Sequence, residues 1–159
     1  MTEQTAVTQL AHGLYLEDFA IGRKFISVGR TITEADFCAF INLTHMTEAV
    51  FIDVEYAKAE SVMKGRAVPA ALCYAFSEGL CIVETVQFTG LAFLNMELDV
   101  KAPTFVGDTI HVELEVTEAR VSKSNPTRGL VRTRNTVIKQ DGSVALVYTP
   151  MRMVKCRGR

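Results

Sequence analysis

The chain has 159 residues, of which 48% are hydrophobic and 22% are charged, and its formal net charge is −1 at pH 7. This length supports one domain with a substantial core and is short for two. The near-neutral charge gives no electrostatic basis for binding nucleic acid or an anionic membrane surface. No stretch approaches the roughly 20 consecutive apolar residues of a membrane-spanning helix. We therefore expect one globular domain with neither a nucleic-acid nor a membrane partner.

The N-terminal residues indicate where the domain begins, and the cysteines indicate its cellular compartment. Residues 1–12 have neither a basic start nor an apolar run, so they are not a secretory signal and are expected to form a frayed tail. Residues 13–159 are expected to form the single domain. The four cysteines form no CxxC pair and no metal-spaced cluster. They are expected to be small buried thiols and not metal ligands, which favours a cytoplasmic location.

The first half of the chain predicts a strand followed by two short helices. Residues 24–32 have strand character and follow a Gly-containing turn. Thr33 has the side chain of a helix N-cap, and acidic residues occupy the first turn of the helix predicted over residues 33–43. After a loop, a second short helix is predicted over residues 53–63, with Asp53 as its cap.

A long apolar helix is predicted over residues 69–85, with Pro69 in its first turn. Hydrophobic side chains occur on every side of this helix, so other structure is expected to surround it. Because no membrane helix fits the chain, the expected cover is a curved β-sheet.

The last third of the chain supplies that sheet. Residues 94–102, 108–121, 128–140 and 143–155 show strand alternation and many β-branched side chains, and Asp141-Gly142 is a hairpin turn. The expected fold class is α+β: a hotdog fold, in which a curved antiparallel sheet wraps a long buried central helix and short helices overhang it.

The segment FINLTHMTEAVFIDVEYA, residues 40–57, resembles the hydratase signature of MaoC-like acyl-CoA dehydratases. In that signature an aromatic residue and two spacers precede Leu-Thr-Gly-Asp-x-Asn-Pro-Leu-His, and a short Asp-x-Glu-Tyr-Ala helix follows. The matching positions are Leu43, Thr44, Asp53, Glu55, Tyr56 and Ala57. Ala102-Pro103, Val106-Gly107-Asp108-Thr109 and Arg128-Gly129 also fall where that family has them. The resemblance covers roughly residues 14–156.

The resemblance implies chemistry on an acyl thioester. Enzymes of this family hydrate a trans-2-enoyl thioester or dehydrate the 3-hydroxyacyl thioester. An Asp and a His hold one water and exchange its protons by general acid–base catalysis. Backbone N–H groups at the start of the central helix stabilise the enolate-like oxygen. In this chain Met46 occupies the catalytic Asp position and Phe51 the catalytic His position, and neither side chain transfers a proton.

Two polar residues of the same loop are the candidate replacements. His45 lies at the family's Gly position and has an intrinsic pKa suited to proton transfer near neutrality. Glu48 lies at the family's Asn position and would serve if burial raised its pKa. The alternative is that both are ordinary solvated loop residues.

Substrate binding is assigned to six residues around this loop and the start of the long helix. Pro69 has no N–H to donate, so the amides of Ala70 and Ala71 are the candidate oxyanion donors, although they also serve as ordinary helix-start groups. Tyr74 belongs either to the core or to the acyl pocket. The full substrate-binding set is Met46, Phe51, Pro69, Ala70, Ala71 and Tyr74.

The favoured function is a MaoC-like hydratase or dehydratase with a variant active site. One alternative is a non-catalytic hotdog domain that binds an acyl thioester or partners a catalytic homologue. Another is a hotdog thioesterase that uses Glu48 or Glu78. No cofactor is expected beyond coenzyme A as part of the substrate, although an acyl carrier protein is an alternative carrier. Because the hotdog fold usually pairs two units, we expect a homodimer or a dimer-based oligomer.

Overall fold

The computed structural model describes residues 9–158, which contain four α-helices and eight strands. The helices are a 3-10 turn at Leu16–Asp18, α1 at Glu34–Thr44, α2 at Ala49–Ile52, α3 at Val54–Glu60 and α4 at Ala70–Val86. The strands are β1 Lys24–Ile26, β2 Arg30–Thr31, β3 Gly90–Asn95, β4 Leu98–Val100, β5 Thr109–Val121, β6 Arg128–Lys139, β7 Val144–Tyr148 and β8 Met151–Lys155. Most of the predicted N-terminal tail, residues 1–8, lies outside the described residues.

All eight strands belong to one antiparallel sheet that curves around α4. The main path runs β1-β5-β6-β7-β4. The long strand β6 pairs with β8 along its first half and with β7 along its second half, and β3 extends the sheet beyond β8. A register shift between β5 and β6 adds a local bend. The predicted α+β hotdog fold, with a long helix against a curved antiparallel sheet, is confirmed.

Local sequence signals place the starts of two helices correctly. Thr33 caps α1: its hydroxyl accepts the N–H of Asp36 at 3.2 Å, and the Asp36 carboxylate accepts the N–H of Thr33 at 2.9 Å. The Thr33 hydroxyl also donates to the Asp36 carboxylate at 2.7 Å, and this bond together with the one from the Thr33 N–H holds the pKa of Asp36 below its usual range. Asp53 caps α3 as predicted, although the helix ends at Glu60, earlier than expected.

Three predicted strands are each broken in two. Residues 24–32 form β1 and β2, because the Ser27 hydroxyl intervenes and accepts the N–H of Val112 at 2.9 Å. The predicted strand over residues 143–155 divides into β7 and β8 around Pro150, which has no N–H for a ladder. The segment predicted as one strand over residues 94–102 is shared between β3 and β4. The predicted loop before Asp53 also contains one extra helical turn, α2.

The sheet covers α4 on one side only. The inner face of α4 buries Leu72, Cys73, Ser77 and Cys81, and the Ser77 hydroxyl donates to the carbonyl of Cys73 at 2.8 Å. The opposite side of the helix is exposed, so the expectation that the helix is surrounded on every side is wrong for the single chain. The exposed residues of α4 are Ala71, Ala75, Gly79, Ile82, Val83 and Glu84.

Strand β3 adjoins this exposed side. Every residue of β3 is exposed, and it pairs with β8 along one edge only among the described strands. Leu91, Phe93 and Leu94 are 43–49% exposed. We call the exposed side of α4 together with β3 the α4–β3 face.

Three of the four cysteines are buried thiols, as predicted, whereas Cys38 is exposed on α1. Burial raises the pKa of Cys81 to about 12 and also raises that of Cys73. Both thiols are therefore held in the neutral form at physiological pH.

The Asp53 cap gives a direct test of how the loop is anchored. The Asp53 carboxylate accepts the N–H groups of Glu55 and Tyr56 at 3.0 and 2.9 Å. Asp53→Ala is expected to lower the free energy of unfolding by about 1 kcal/mol, measured by urea denaturation. Glu55→Gln, which alters a nearby exposed carboxylate paired with Lys58, is the matched control and should cost less. Equal losses in the two variants would contradict the capping role.

Candidate active site

A cavity of about 200 Å³ lies where the start of α4 meets α2 and the inner face of the sheet. Phe51, Pro69 and Ala70 line it, so three of the predicted substrate-binding residues share one space. Thr104 and Leu146 are among the remaining lining residues. None of the lining residues is ionisable. The cavity is therefore suited to an apolar group and holds no acid or base of its own.

Met46 and Phe51 make the loop side of this region apolar. Both side chains are half-buried and pack against the main hydrophobic cluster. The resemblance to the signature predicts that they stand at the positions of its acid–base pair, and neither the thioether nor the phenyl ring transfers a proton.

The structure does not bring His45 or Glu48 to the cavity. His45 is exposed and ends α1 in the left-handed conformation, with φ of 56°. That conformation favours glycine, which is the residue the signature has there. Glu48 is exposed just before α2, and its carbonyl accepts the N–H groups of Phe51 and Ile52. Neither side chain is close enough to the cavity to line it.

The start of α4 presents unbonded N–H groups beside the cavity. Pro69 is the N-cap, and its carbonyl accepts the N–H groups of Leu72 at 2.9 Å and Cys73 at 3.3 Å. The N–H groups of Ala70 and Ala71 donate to no acceptor within residues 9–158. Ala70 lines the cavity, whereas Ala71 is exposed. An oxygen that gains negative charge near Ala70 would meet a free donor and the positive end of a 17-residue helix.

Tyr74 lies one helical turn beyond Ala70 and does not line the 200 Å³ cavity. Its ring meets that of Tyr148 edge to face, with centroids 5.2 Å apart. Burial raises the pKa of Tyr74, and raises that of the fully buried Tyr148 further, so both hydroxyls keep their protons. Tyr74 is thus a half-buried side chain that packs against the main hydrophobic cluster, outside the cavity.

An ion pair between Glu78 of α4 and Arg152 of β8 lies one turn further along. The two side chains are only 16% and 14% exposed. The sequence offered Glu78 only as a candidate thioesterase carboxylate, and its ion-pair partner is 74 residues away in the chain. No local signal identifies Arg152 among the basic residues of the C-terminal strands.

Comparison with known proteins identifies the family of this chain. Residues 19–147 match the family model described as FAS1-like, dehydratase domain region. The chain belongs to this dehydratase family. An (R)-specific enoyl-CoA hydratase from Rhodospirillum rubrum is 29% identical over 103 residues, which cover 65% of this chain and 69% of that protein. The resemblance to MaoC-like dehydratases is therefore confirmed at the level of the family.

Two solved structures place the chain among hotdog proteins. The MaoC-like dehydratase from Rhodospirillum rubrum superposes with a TM-score of 0.83 at 29% identity, over 92% of this chain and all of that one. A conserved hypothetical protein from Mycobacterium tuberculosis with a double hotdog fold superposes with a TM-score of 0.82 at 22% identity. The match covers 95% of this chain and 46% of that protein, so this dehydratase-family chain corresponds in fold to one of its two hotdog units.

Two further features are absent from residues 9–158. No helix in this range combines the length and apolar character needed to cross a membrane. The same range contains no group of three or more His, Cys, Asp or Glu side chains arranged to hold a metal ion.

Loss of one partner of the buried ion pair is expected to destabilise the fold. Arg152→Met keeps most of the side-chain volume but leaves the Glu78 charge unpaired, so the free energy of unfolding should fall by roughly 3 kcal/mol. Lys24→Met is the matched control, because the Lys24–Glu115 pair is 73% and 44% exposed and such surface pairs contribute at most about 1 kcal/mol. Chemical denaturation of both variants makes the comparison. Similar small losses of unfolding free energy in the two variants would show that the Glu78–Arg152 pair contributes no more to stability than a surface pair.

Proposed function

We propose that this protein is a hydratase or dehydratase of an enoyl- or 3-hydroxyacyl-CoA thioester, with a variant active site at the 200 Å³ cavity. The main support for this proposal is the free N–H of Ala70, which lies at the start of α4 and on the wall of an apolar cavity. Membership of the dehydratase family supports the same reaction class. Coenzyme A would enter as part of the substrate, and no further cofactor is proposed.

The proposed role of the α4 start follows from charge development. When water adds to C3 of an enoyl thioester, negative charge accumulates on the thioester oxygen. Donors fixed in place before the reaction stabilise that charge without reorganising. The N–H groups of Ala70 and Ala71 would be these donors, since Pro69 has none. The apolar lining, including Phe51 and Leu146, would hold the acyl portion.

Proton transfer is proposed for His45 and Glu48. One group would take a proton from the attacking water and the other would deliver a proton to C2, so the proton count of the protein is unchanged over the cycle. Because both side chains are exposed in the substrate-free chain, the loop between α1 and α2 would have to move them towards the cavity. Catalytic hydrogen bonds often form fully only with substrate bound.

Substitution of either loop residue tests this assignment. His45→Ala and Glu48→Gln are each expected to lower turnover by at least about 10²-fold, the lower range for general acid–base groups. The assay follows loss of enoyl-thioester absorbance with short, branched and dicarboxylic enoyl-CoA substrates. His111→Ala and Glu55→Gln provide the same chemical changes outside the loop and should retain activity. Full activity in both loop variants would contradict the assignment.

A non-catalytic acyl-thioester-binding domain, alone or as a partner subunit, is the second candidate. It is favoured by the apolar lining of the cavity and by the inward packing of Met46 and Phe51. Saturable binding of acyl-CoA without absorbance loss or thiol release would support it. Release of free thiol would instead support the thioesterase alternative. The thioesterase alternative would use the carboxylate of Glu48 or Glu78. Glu48 is exposed, and Glu78 forms an ion pair with Arg152.

We further infer that two copies pair through the α4–β3 face. The free edge of β3 offers backbone groups to a second strand, and exposed apolar side chains flank it. Small residues at Ala71, Ala75 and Gly79 permit close approach of a second helix. The double hotdog fold of the Mycobacterium tuberculosis protein supports the pairing of two such units.

A charge on this face should separate the copies. Wild-type protein is expected to show twice the chain mass of 17.6 kDa by size-exclusion chromatography with light scattering, whereas Phe93→Asp shifts it towards a single chain. Ile21→Asp is the control, because Ile21 is also exposed, at 69%, but precedes β1 at the opposite side of the sheet. A wild-type monomer, or a Phe93→Asp dimer of unchanged affinity, would contradict this pairing.

A further inference from the structure

The 200 Å³ cavity at the start of α4 has a closed side and an open side. Leu146 and Thr104 line it and are only 1% and 4% exposed, whereas Val100 and Met63 line it and are 57% and 37% exposed. Val100 belongs to β4, the last strand of the main sheet path, and is the cross-strand neighbour of Leu146 on β7. A ligand attached to a bulky carrier would therefore enter past Val100 and Met63, with its far end towards Leu146.

The volume of the cavity limits the size of the group that it holds. A core cavity of about 150 Å³ holds one benzene molecule, which has six heavy atoms, so a cavity of about 200 Å³ holds roughly eight. If the thioester oxygen lies at the N–H of Ala70, the oxygen and the sulfur take two of these places. About six carbon atoms remain for the acyl chain. Pockets for larger ligands start at about 300 Å³, so a long fatty acyl chain exceeds this space.

The closed side is part of a packed interior. Leu146 belongs to the main hydrophobic cluster, as does Val137, its cross-strand neighbour on β6. Extra methylene groups forced into such an interior move side chains away from their preferred rotamers, and this is destabilising. A chain that is too long would therefore hold the thioester away from Ala70.

The lining also disfavours a charged acyl terminus. The residues that line the cavity carry no charge, and the hydroxyl of Thr104 donates to Sγ of Cys73 at 3.7 Å. The ammonium of Lys139 is 3.5 Å from the carbonyl of Pro103, but Lys139 pairs with Asp108 and does not line the cavity. A carboxylate that leaves water needs a cation or several donors. A terminal carboxylate at the closed side would have neither.

We propose that the cavity selects a short, uncharged acyl chain of about six carbon atoms or fewer, so that the substrates are short-chain thioesters without a terminal carboxylate. This inference rests on the proposed function of the cavity as the thioester site. Leu146 sets the limit on chain length. The uncharged lining of the closed side sets the limit on charge.

Saturated acyl-CoA ligands measure this selection separately from catalysis, because they cannot be hydrated. Isothermal titration calorimetry would compare butyryl-, hexanoyl-, octanoyl- and decanoyl-CoA. Octanoyl- and decanoyl-CoA are each expected to bind at least about tenfold more weakly than hexanoyl-CoA. Glutaryl-CoA, which has the carbon number of pentanoyl-CoA and a terminal carboxylate, is expected to bind at least about tenfold more weakly than pentanoyl-CoA.

Substitution at the closed side tests where the length limit lies. Leu146→Ala should bring the affinity for octanoyl-CoA to within about threefold of that for hexanoyl-CoA, because it adds space beyond the chain end. Leu114→Ala is the matched control and should keep the wild-type limit, since Leu114 is buried in the same cluster but does not line the cavity. Melting curves verify folding. If either alanine variant does not fold, Leu146→Val and Leu114→Val replace the pair, and Leu146→Val should still improve octanoyl-CoA relative to hexanoyl-CoA by at least about threefold.

Each outcome bears on a different part of the inference. Equal affinity of the wild-type protein for hexanoyl- and decanoyl-CoA would overturn the length limit, and equal affinity for pentanoyl- and glutaryl-CoA would overturn the charge limit. Both results leave the proposed function standing. A length limit that is unchanged in the Leu146 variants would overturn the role of Leu146. Failure to bind any acyl-CoA would overturn this inference together with the proposed function, whereas selective binding without turnover of enoyl-CoA would overturn the proposed activity alone.

Discussion

The fold depends on burying one side of a long apolar helix against a single curved sheet. Leu72, Cys73 and Cys81 turn inward from α4 and meet β-branched side chains of the long strands, which removes a large apolar area from water. This packing fixes the position of the helix start, and the free N–H of Ala70 therefore stands at a defined place beside the cavity. It also leaves the opposite side of α4 exposed next to β3, and this is the face proposed for pairing with a second copy.

The electrostatics of the candidate site differ on the two sides of the cavity. The helix side keeps unbonded N–H groups that suit a developing negative charge. The loop side is apolar, because Met46 and Phe51 pack there against the core, and the sequence resemblance predicts that both stand at the signature's acid–base positions. Stabilisation of an oxyanion and transfer of protons are separable parts of this chemistry. The free N–H groups at the helix start are proposed for the first, whereas the second depends on whether the exposed His45 and Glu48 approach the substrate.

Several of the buried polar groups lie together between α4 and the sheet. Glu78 and Arg152 neutralise each other, and Asn135 and Tyr148 continue the same group on the sheet. A charge in this interior is tolerated only with a partner, so the pair ties α4 to β8 next to the face proposed for pairing. The Glu78–Arg152 pair therefore holds the helix against the sheet, and it does so beside the α4–β3 face.

The sequence by itself determined the fold class, the family resemblance and the local signals. Thr33 and Asp53 cap helices where predicted, because a cap depends on bonds within a few residues. Phe51 of the signature segment shares a cavity with Pro69 and Ala70 of the long helix start. Only the tertiary structure decided that His45 and Glu48 point to solvent, that Arg152 neutralises Glu78 and that Tyr148 meets Asn135. Contacts between side chains distant in the chain, such as these last two, depend on strand register and helix rotation, which leave no mark in local sequence.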